Sequence, residues 1–149
     1  MHYDKLTKPE IAKRQLFQSI ELYLAGDDLI SVITLAGAAE EILGKLVNHA
    51  GKPNALDEKV QKLCKVFELV FKVPAVPKEL IKLRNKSRNE LKHIGVNGTI
   101  EIKLEEEAVK LLDRAINNYK KLNPGSHTLF HEFEKERVRR YRVRNEKSA

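Results

Sequence analysis

The sequence predicts an all-α protein: an up-and-down helical bundle of about five helices, followed by a basic C-terminal helical extension. Apolar residues recur at helical spacing through most of the 149 residues, and helix-capping residues stand where each run begins. Glycine and proline separate the runs, so the connections are short. Short connections are typical of neighbouring antiparallel helices in a bundle.

The first two helices have clear signals at their ends. Thr7 and Glu10 form a capping-box pattern, and Gly26 can end that helix in the left-handed conformation. Asp27 or Asp28 can then cap a second helix that runs to about residue 49. Further helices are predicted over residues 54–71, 78–94 and 105–121, with a last helix after Ser126 and a short extended segment over 98–104.

The chain divides after Gly125, because Pro124 and Gly125 follow the fifth helix directly. We therefore predict a helical bundle domain over residues 1–125 and a basic helical tail over residues 126–149. The connector at 72–78 contains two prolines and separates the third helix from the fourth.

Composition places the protein among cytoplasmic globular chains with anionic partners. Lys and Arg total 28 against 21 Asp and Glu, a net charge of +7, which favours anionic partners. The single cysteine, Cys64, cannot form an internal disulfide, and its apolar neighbours predict burial. The longest apolar stretch, residues 29–39, is too short to span a membrane, and no signal peptide is expected.

The fourth helix carries a dense polar cluster. At about 100° per residue, Leu80, Leu83 and Leu91 form one apolar stripe with Ile94, which predicts the packed face. Two polar rows lie beside this stripe. The basic row contains Arg84, Arg88 and Lys92, and the amide and imidazole row contains Asn85, Asn89 and His93.

These side-chain types suit cleavage of an RNA backbone. Histidine can act as a general acid or base near neutral pH, and arginine can stabilise a phosphorane-like transition state through paired hydrogen bonds. With the RNA 2′-hydroxyl as nucleophile, neither a metal nor another cofactor is needed. One His and one Arg make a sparse site, so we expect a homodimer that brings two copies together.

The stretch "RNELKH", residues 88–93, resembles the Arg-x(4–6)-His motif of the HEPN superfamily. The wider pattern, "IAKRQLFQSIELYLAGDDLISVITLAGAAEEIL", is similar to short bacterial proteins of that superfamily, and the resemblance covers about residues 8–122. It implies an up-and-down bundle and a metal-independent endoribonuclease with its site at a homodimer interface. In many members the enzyme is a toxin paired with a nucleotidyltransferase-type antitoxin.

The resemblance assigns roles residue by residue. Arg88, Asn89 and His93 take the catalytic positions of the motif. Arg84, Asn85 and Lys92 are then expected to bind RNA phosphate.

The tail offers a second basic cluster, "RVRRYRVR" at residues 137–144, which has five arginines and no acid. Arginine forks with Tyr141 available for stacking suit RNA phosphates and bases. The alternatives are a helix end without a role or one that packs on a partner subunit. The arginines are Arg137, Arg139, Arg140, Arg142 and Arg144.

Two further patterns stay open. Glu40 and its neighbour Glu41 lie on the most apolar helix, where a carboxylate can pair with Arg84 or Arg88 or form the polar edge of that helix. His127 and His131 are four residues apart, a spacing that can bind a metal, but no other ligand cluster accompanies them. We predict surface histidines and no metal site.

Three functional hypotheses follow. The first is a HEPN-type endoribonuclease that uses the fourth helix. The second is a non-catalytic HEPN-like module that binds a protein partner or a nucleotide with the same residues. The third is a basic RNA-binding or assembly protein in which the tail matters and the motif is incidental.

Overall fold

The computed structural model describes residues 3–93 and 98–148, and over these ranges the protein is an all-helical bundle, which confirms the predicted fold class. No strand occurs within the described residues. The helices are α1 (Lys8–Ala25), α2 (Leu29–His49), α3 (Ala55–Phe71), α4 (Pro77–Lys92), α5 (Leu104–Leu122) and α6 (Thr128–Ser148).

The predicted capping residues begin and end the first helices. Thr7 and Glu10 form the reciprocal capping box of α1, and Gly26 ends that helix at φ 73° in the left-handed region. Asp28 caps α2 by accepting hydrogen bonds from the N–H groups of Ile30 and Ser31 at 3.2 and 2.9 Å. These short-range contacts explain why the helix starts could be predicted from sequence.

The connections around α4 differ from those of the first helices. Lys72 ends α3 at φ 58°, and α4 begins with Pro77, whose fixed φ suits the first helical turn. The predicted end of α4 at Gly95 lies outside the described residues. The predicted extended segment contains no strand over residues 98–103, and α5 begins at Leu104.

The core lies among α1, α2, α5 and the first half of α6. Leu16, Ile20, Ile33 and Leu112 have no exposed surface, and each such side chain contributes roughly 1.5–3 kcal/mol through burial. Within α3 only Ala55 and Val60 are fully buried, and no described side chain of α4 is. The α3–α4 hairpin therefore packs on the outside of the core.

The last helix is part of the bundle at its beginning. Phe130 is 3% exposed and Phe133 is fully buried in the same core cluster as α1 and α5. The N–H of Leu129 donates to His127 Nδ1 at 3.2 Å, so His127 caps the start of α6, one residue after Ser126. Among the described residues no helix combines the length and apolar composition needed to cross a membrane.

Candidate functional site

The residues of the predicted site lie on opposite sides of α4. Arg88 faces α2, where its Nη1 lies 3.3 Å from Glu40 Oε2, and its side chain is 13% exposed. Asn89 and His93 are exposed on the outward side of the helix. The residue that follows Arg88 along a helix is turned by about 100°, so a pair of neighbours cannot both face α2. Within one chain, the structure does not bring Arg88 together with His93.

Glu40 pairs with two arginines from different helices. Besides contacting Arg88, its Oε1 lies 3.4 Å from Nε of Arg114 on α5, although that N–H is not aligned for a hydrogen bond. Arg114 Nη2 also donates to Asn85 Oδ1 at 3.3 Å. Burial lowers the pKa of Arg114, and the charge of Glu40 opposes that shift. This ion-pair cluster ties α2, α4 and α5 together.

A glycine on α2 makes room for Arg88. A Cβ at Gly37 would lie 2.8 Å from Arg88 Cδ, closer than any ordinary contact. The small residues of α2 therefore let the aliphatic part of Arg88 cross the helix surface and reach Glu40. Of the two partners that the sequence left open for Glu40, the structure gives it Arg88.

Sequence reasoning missed Arg114. Its side chain is only 3% exposed, which for a cation requires a buried partner. The signal was present, because Arg114 lies between Leu111 and Ala115 on the apolar face of α5 and both neighbours are buried. An arginine in such a stripe predicts a buried acid on a neighbouring helix.

The orientation of α4 corrects the predicted packed stripe. Leu83, predicted to face the core, is 68% exposed, whereas Leu91 packs against the core cluster. On a helix Leu83 and Arg88 point about 140° apart, so turning Arg88 toward Glu40 turns Leu83 outward. The prediction was wrong for Leu83 because the ion pair sets the rotation of the helix.

The outward side of α4 forms a shallow groove. Its lining includes Lys82, Leu83, Lys86, Asn89 and His93. His93 ends the helix in an extended conformation, and its backbone N–H donates to the carbonyl of Asn89 at 3.1 Å. An imidazole, an amide and two amines thus share one accessible surface with the carboxylates of Glu79 and Glu90, and Lys86 lies 3.8 Å from Glu90. For Lys92, predicted to bind phosphate, the side chain lies outside what the structure describes, and Arg84 is partly buried.

Arg140 of the basic tail is held by the bundle. Its Nε donates to Glu136 at 2.7 Å, its Nη2 donates to the carbonyl of Tyr23 at 2.5 Å, and its guanidinium lies 4.2 Å from the Tyr23 ring centroid. Tyr23 donates its hydroxyl to Glu105 at 2.6 Å. Burial and this hydrogen bond raise the pKa of Tyr23.

Two more of the predicted RNA-binding arginines have acidic partners. Arg137 lies 2.7 Å from Glu134 and 3.6 Å from Asp113, and Arg139 donates to Glu136 at 2.7 Å. Arg137, Arg139 and Arg140 therefore each form an ion pair within this chain. Arg142 is exposed and makes no ion pair with any residue that the structure describes, and Arg144 is exposed near the end of α6.

The α3–α4 hairpin exposes an apolar surface that sequence reasoning also missed. The signal was that apolar residues between 63 and 71 occupy several faces of α3, more than one packed side requires. We name this surface the hairpin tip. It comprises seven side chains with 49–76% of their surface exposed: Val66, Leu69, Val70, Phe71, Val73, Val76 and Leu83.

The remaining candidates are the histidine pair at the start of α6 and Cys64. His127 packs its ring against Phe17 and Phe130, with centroids 4.7 and 5.4 Å away. Within residues 3–93 and 98–148, no three His, Cys, Asp or Glu side chains cluster as a metal site would require. Cys64 is a free thiol and only partly buried, less so than predicted.

No protein-family model, no curated protein and no solved structure matches this chain. The resemblance to the HEPN superfamily therefore rests on the motif at residues 88–93 and on the wider sequence pattern. It stays a hypothesis.

Proposed function

We propose that this chain is a HEPN-like helical module that binds a protein partner through the hairpin tip. The observation that carries the proposal is the exposure of seven large apolar side chains within residues 66–83. Single exposed apolar residues are ordinary on a protein surface, but a contiguous group of them usually marks an interaction site.

The position of this surface supports binding. Val66 and Leu83 each lie within about 9 Å along the helix axis of the connector between α3 and α4, so all seven residues lie at the same end of the hairpin. Covering such side chains gains about 25 cal/mol for each Å² removed from water. A partner helix laid on the tip would be held mainly by this term.

The location of Arg88 supports a binding role over a catalytic one. A catalytic arginine must reach the reacting phosphate, whereas the guanidinium of Arg88 contacts Glu40 and its side chain is 13% exposed. Leaving that contact would remove one of the two guanidinium groups that pair with the buried carboxylate of Glu40, which is costly. Arg88 thus has a structural role that does not depend on RNA.

Affinity purification of the full chain from its native cells tests the proposal. Leu69→Ser combined with Leu83→Ser removes two exposed apolar side chains without touching the core. We expect a stoichiometric protein partner with the wild type and its loss with this double variant. The matched control combines Val138→Ser with Tyr141→Ser, which removes exposed apolar residues from α6 instead. If all three chains retain the same proteins, the proposal fails.

A metal-independent endoribonuclease is the second candidate. It is favoured by the exposed side chains of Asn89 and His93, which line one groove together with Lys82 and Lys86. In this reading His93 is the general acid or base, the amines contact phosphate, and a homodimer supplies a second histidine. A toxin role with a nucleotidyltransferase-type antitoxin, and RNA binding by the tail, stay predictions attached to this candidate.

RNA cleavage in EDTA tests the second candidate. His93→Ala should abolish cleavage and the formation of cyclic-phosphate ends, whereas His131→Ala, which removes an exposed histidine on α6, should leave both unchanged. An absence of cleavage by the folded wild-type chain, or equal loss in both variants, would contradict this candidate.

A further inference from the structure

The hairpin tip is surrounded by basic side chains. Six exposed lysines lie on α3, the connector and α4, against two exposed acids, Glu68 and Glu79. The six are Lys62, Lys65, Lys72, Lys78, Lys82 and Lys86. The hairpin therefore exposes apolar side chains together with an excess of lysines, here called the lysine rim, and the occupant that complements it carries both apolar and acidic side chains.

The outward side of α4 carries a groove in which Leu83 is the one hairpin-tip residue among the described lining residues. The groove there runs from Glu79 near the start of the helix to His93 at its end, with Leu83 between them. These positions span 15 residues, a length of about 21 Å at helical rise. A groove of this length with an apolar side chain in it suits an amphipathic helix, which anchors through residues spaced by three or four.

From this complementarity we infer that the occupant of the hairpin tip is an acidic amphipathic helix of a partner protein. The inference rests on the proposed function and names the chemistry of the partner. Apolar residues of the helix cover Leu69, Val76 and Leu83, while its carboxylates face the lysine rim.

A second copy of this chain fits the surface less well. Two hairpin tips placed face to face would bring two rims of excess lysine together, and like charges across an interface oppose association. An anionic membrane also fits less well. The chain has no tryptophan, and Phe71 is the one aromatic side chain in the hairpin tip, whereas surfaces that insert at the membrane interface typically use Trp, Tyr or several Phe.

Fluorescence anisotropy with designed peptides tests the inference on the full chain. The probe is a labelled peptide of about 18 residues, roughly five helical turns, with leucine at i, i+3, i+4 and i+7 and glutamate elsewhere. A matched peptide carries lysine in place of glutamate. We expect the acidic peptide to bind at least about tenfold more tightly than the basic one, and more weakly as salt is raised.

Two sets of variants separate the apolar and charged contributions. Leu69→Ser with Leu83→Ser should weaken binding of the acidic peptide by about tenfold or more, while Val138→Ser with Tyr141→Ser should not change it. Lys72→Glu with Lys82→Glu should abolish the preference for the acidic peptide, because it leaves four exposed lysines against four exposed acids. All four lysine and leucine positions are exposed, so unchanged circular dichroism and unfolding midpoints are expected.

Three results would overturn the inference: equal binding of both peptides, preferential binding to phosphatidylglycerol vesicles over the acidic peptide, or a dimer by light scattering that Leu69→Ser with Leu83→Ser dissolves. These outcomes are distinct from failure of the proposed function. If purification yields a partner that depends on Leu69 and Leu83 while the acidic peptide does not bind, the module stands and only the chemistry of its partner is wrong.

Discussion

At the scale of single residues, Glu40 holds two buried guanidinium groups together. Its carboxylate contacts Arg88 at 3.3 Å and Arg114 at 3.4 Å, and its side chain is 6% exposed. Removing one member of a buried ionic cluster leaves the other charges unpaired, which costs more than the cluster contributes when intact.

Glu40→Gln should therefore lower the free energy of unfolding by about 3–5 kcal/mol, measured by urea denaturation. The neighbouring Glu41 pairs with Lys45 on the surface, where its side chain is 45% exposed. Glu41→Gln should cost less than about 1 kcal/mol, which makes it a matched control. Similar losses for the two variants would contradict the assignment of Glu40 to a buried cluster.

Glu136 predicts a pH dependence of stability. Hydrogen bonds from Arg139 and Arg140 lower its pKa from 4.5 to about 2. Above about pH 5 the carboxylate is charged in both the folded and unfolded chains, so its stabilising effect is complete. As pH falls below 4.5 the unfolded chain takes up a proton first, and the stabilising effect is lost progressively toward pH 2.

Glu136→Gln should consequently be less stable than the wild type at pH 7, by about 1–2 kcal/mol after allowance for solvent screening. The difference should narrow as the pH is lowered from 4.5 toward 2. Urea denaturation of the wild type and of Glu136→Gln at a series of pH values measures this difference in the free energy of unfolding. A difference that stays constant from pH 7 to pH 3 would exclude the arginine contacts as its source.

At the scale of helices, substitutions at the beginning of α6 are predicted to destabilise the fold as core substitutions do, and substitutions near its end to have the small effect of surface substitutions. Phe133 is fully buried against Tyr23, with ring centroids 5.3 Å apart, while Tyr141 is 61% exposed. Phe133→Ala should lower the free energy of unfolding by about 3–5 kcal/mol, and Tyr141→Ala should change it by no more than about 0.5 kcal/mol. Equal effects in thermal unfolding would show that α6 is not part of the bundle.

The starts of the helices could be predicted because their causes are local. The side chain of Thr7 accepts a hydrogen bond from the N–H of Glu10, three residues away, and Asp28 accepts one from the N–H of Ser31 at the same spacing. The rotation of α4 could not be predicted with the same ease, because it depends on a partner 48 residues away, Glu40, and on the absence of a side chain at Gly37. Hydrophobic periodicity alone placed Leu83 on the wrong side.

The tail arginines of α6 include one contact with a local cause and one with a long-range cause. Arg139 pairs with Glu136, three residues earlier, so a local charge pattern could have indicated this ion pair, although all five arginines were predicted to bind RNA. The contact of Arg140 with the carbonyl of Tyr23 joins residues 117 apart, and no local pattern indicates it. The sequence thus predicted a basic helix but not that the bundle holds part of it.

At the scale of the whole molecule, the protein consists of a closely packed core and a hairpin that exposes apolar residues. The core includes α1, α2, α5 and the beginning of α6, while the described part of α4 has no fully buried side chain. The Glu40 cluster fixes α4 to this core and faces Arg88 inward, which turns Leu83 of the hairpin tip outward. The ion pair and the exposure of Leu83 are thus two consequences of one helix orientation.

Site-specific photo-crosslinking tests the central claim most directly, because it reports contact at a single residue. A photoreactive amino acid at position 69, where Leu69 is 76% exposed, is compared in native cells with the same group at position 141. We predict a discrete cross-linked partner protein from position 69, and none from position 141. A product from position 141 alone, or the same products from both positions, would contradict partner binding at the hairpin tip.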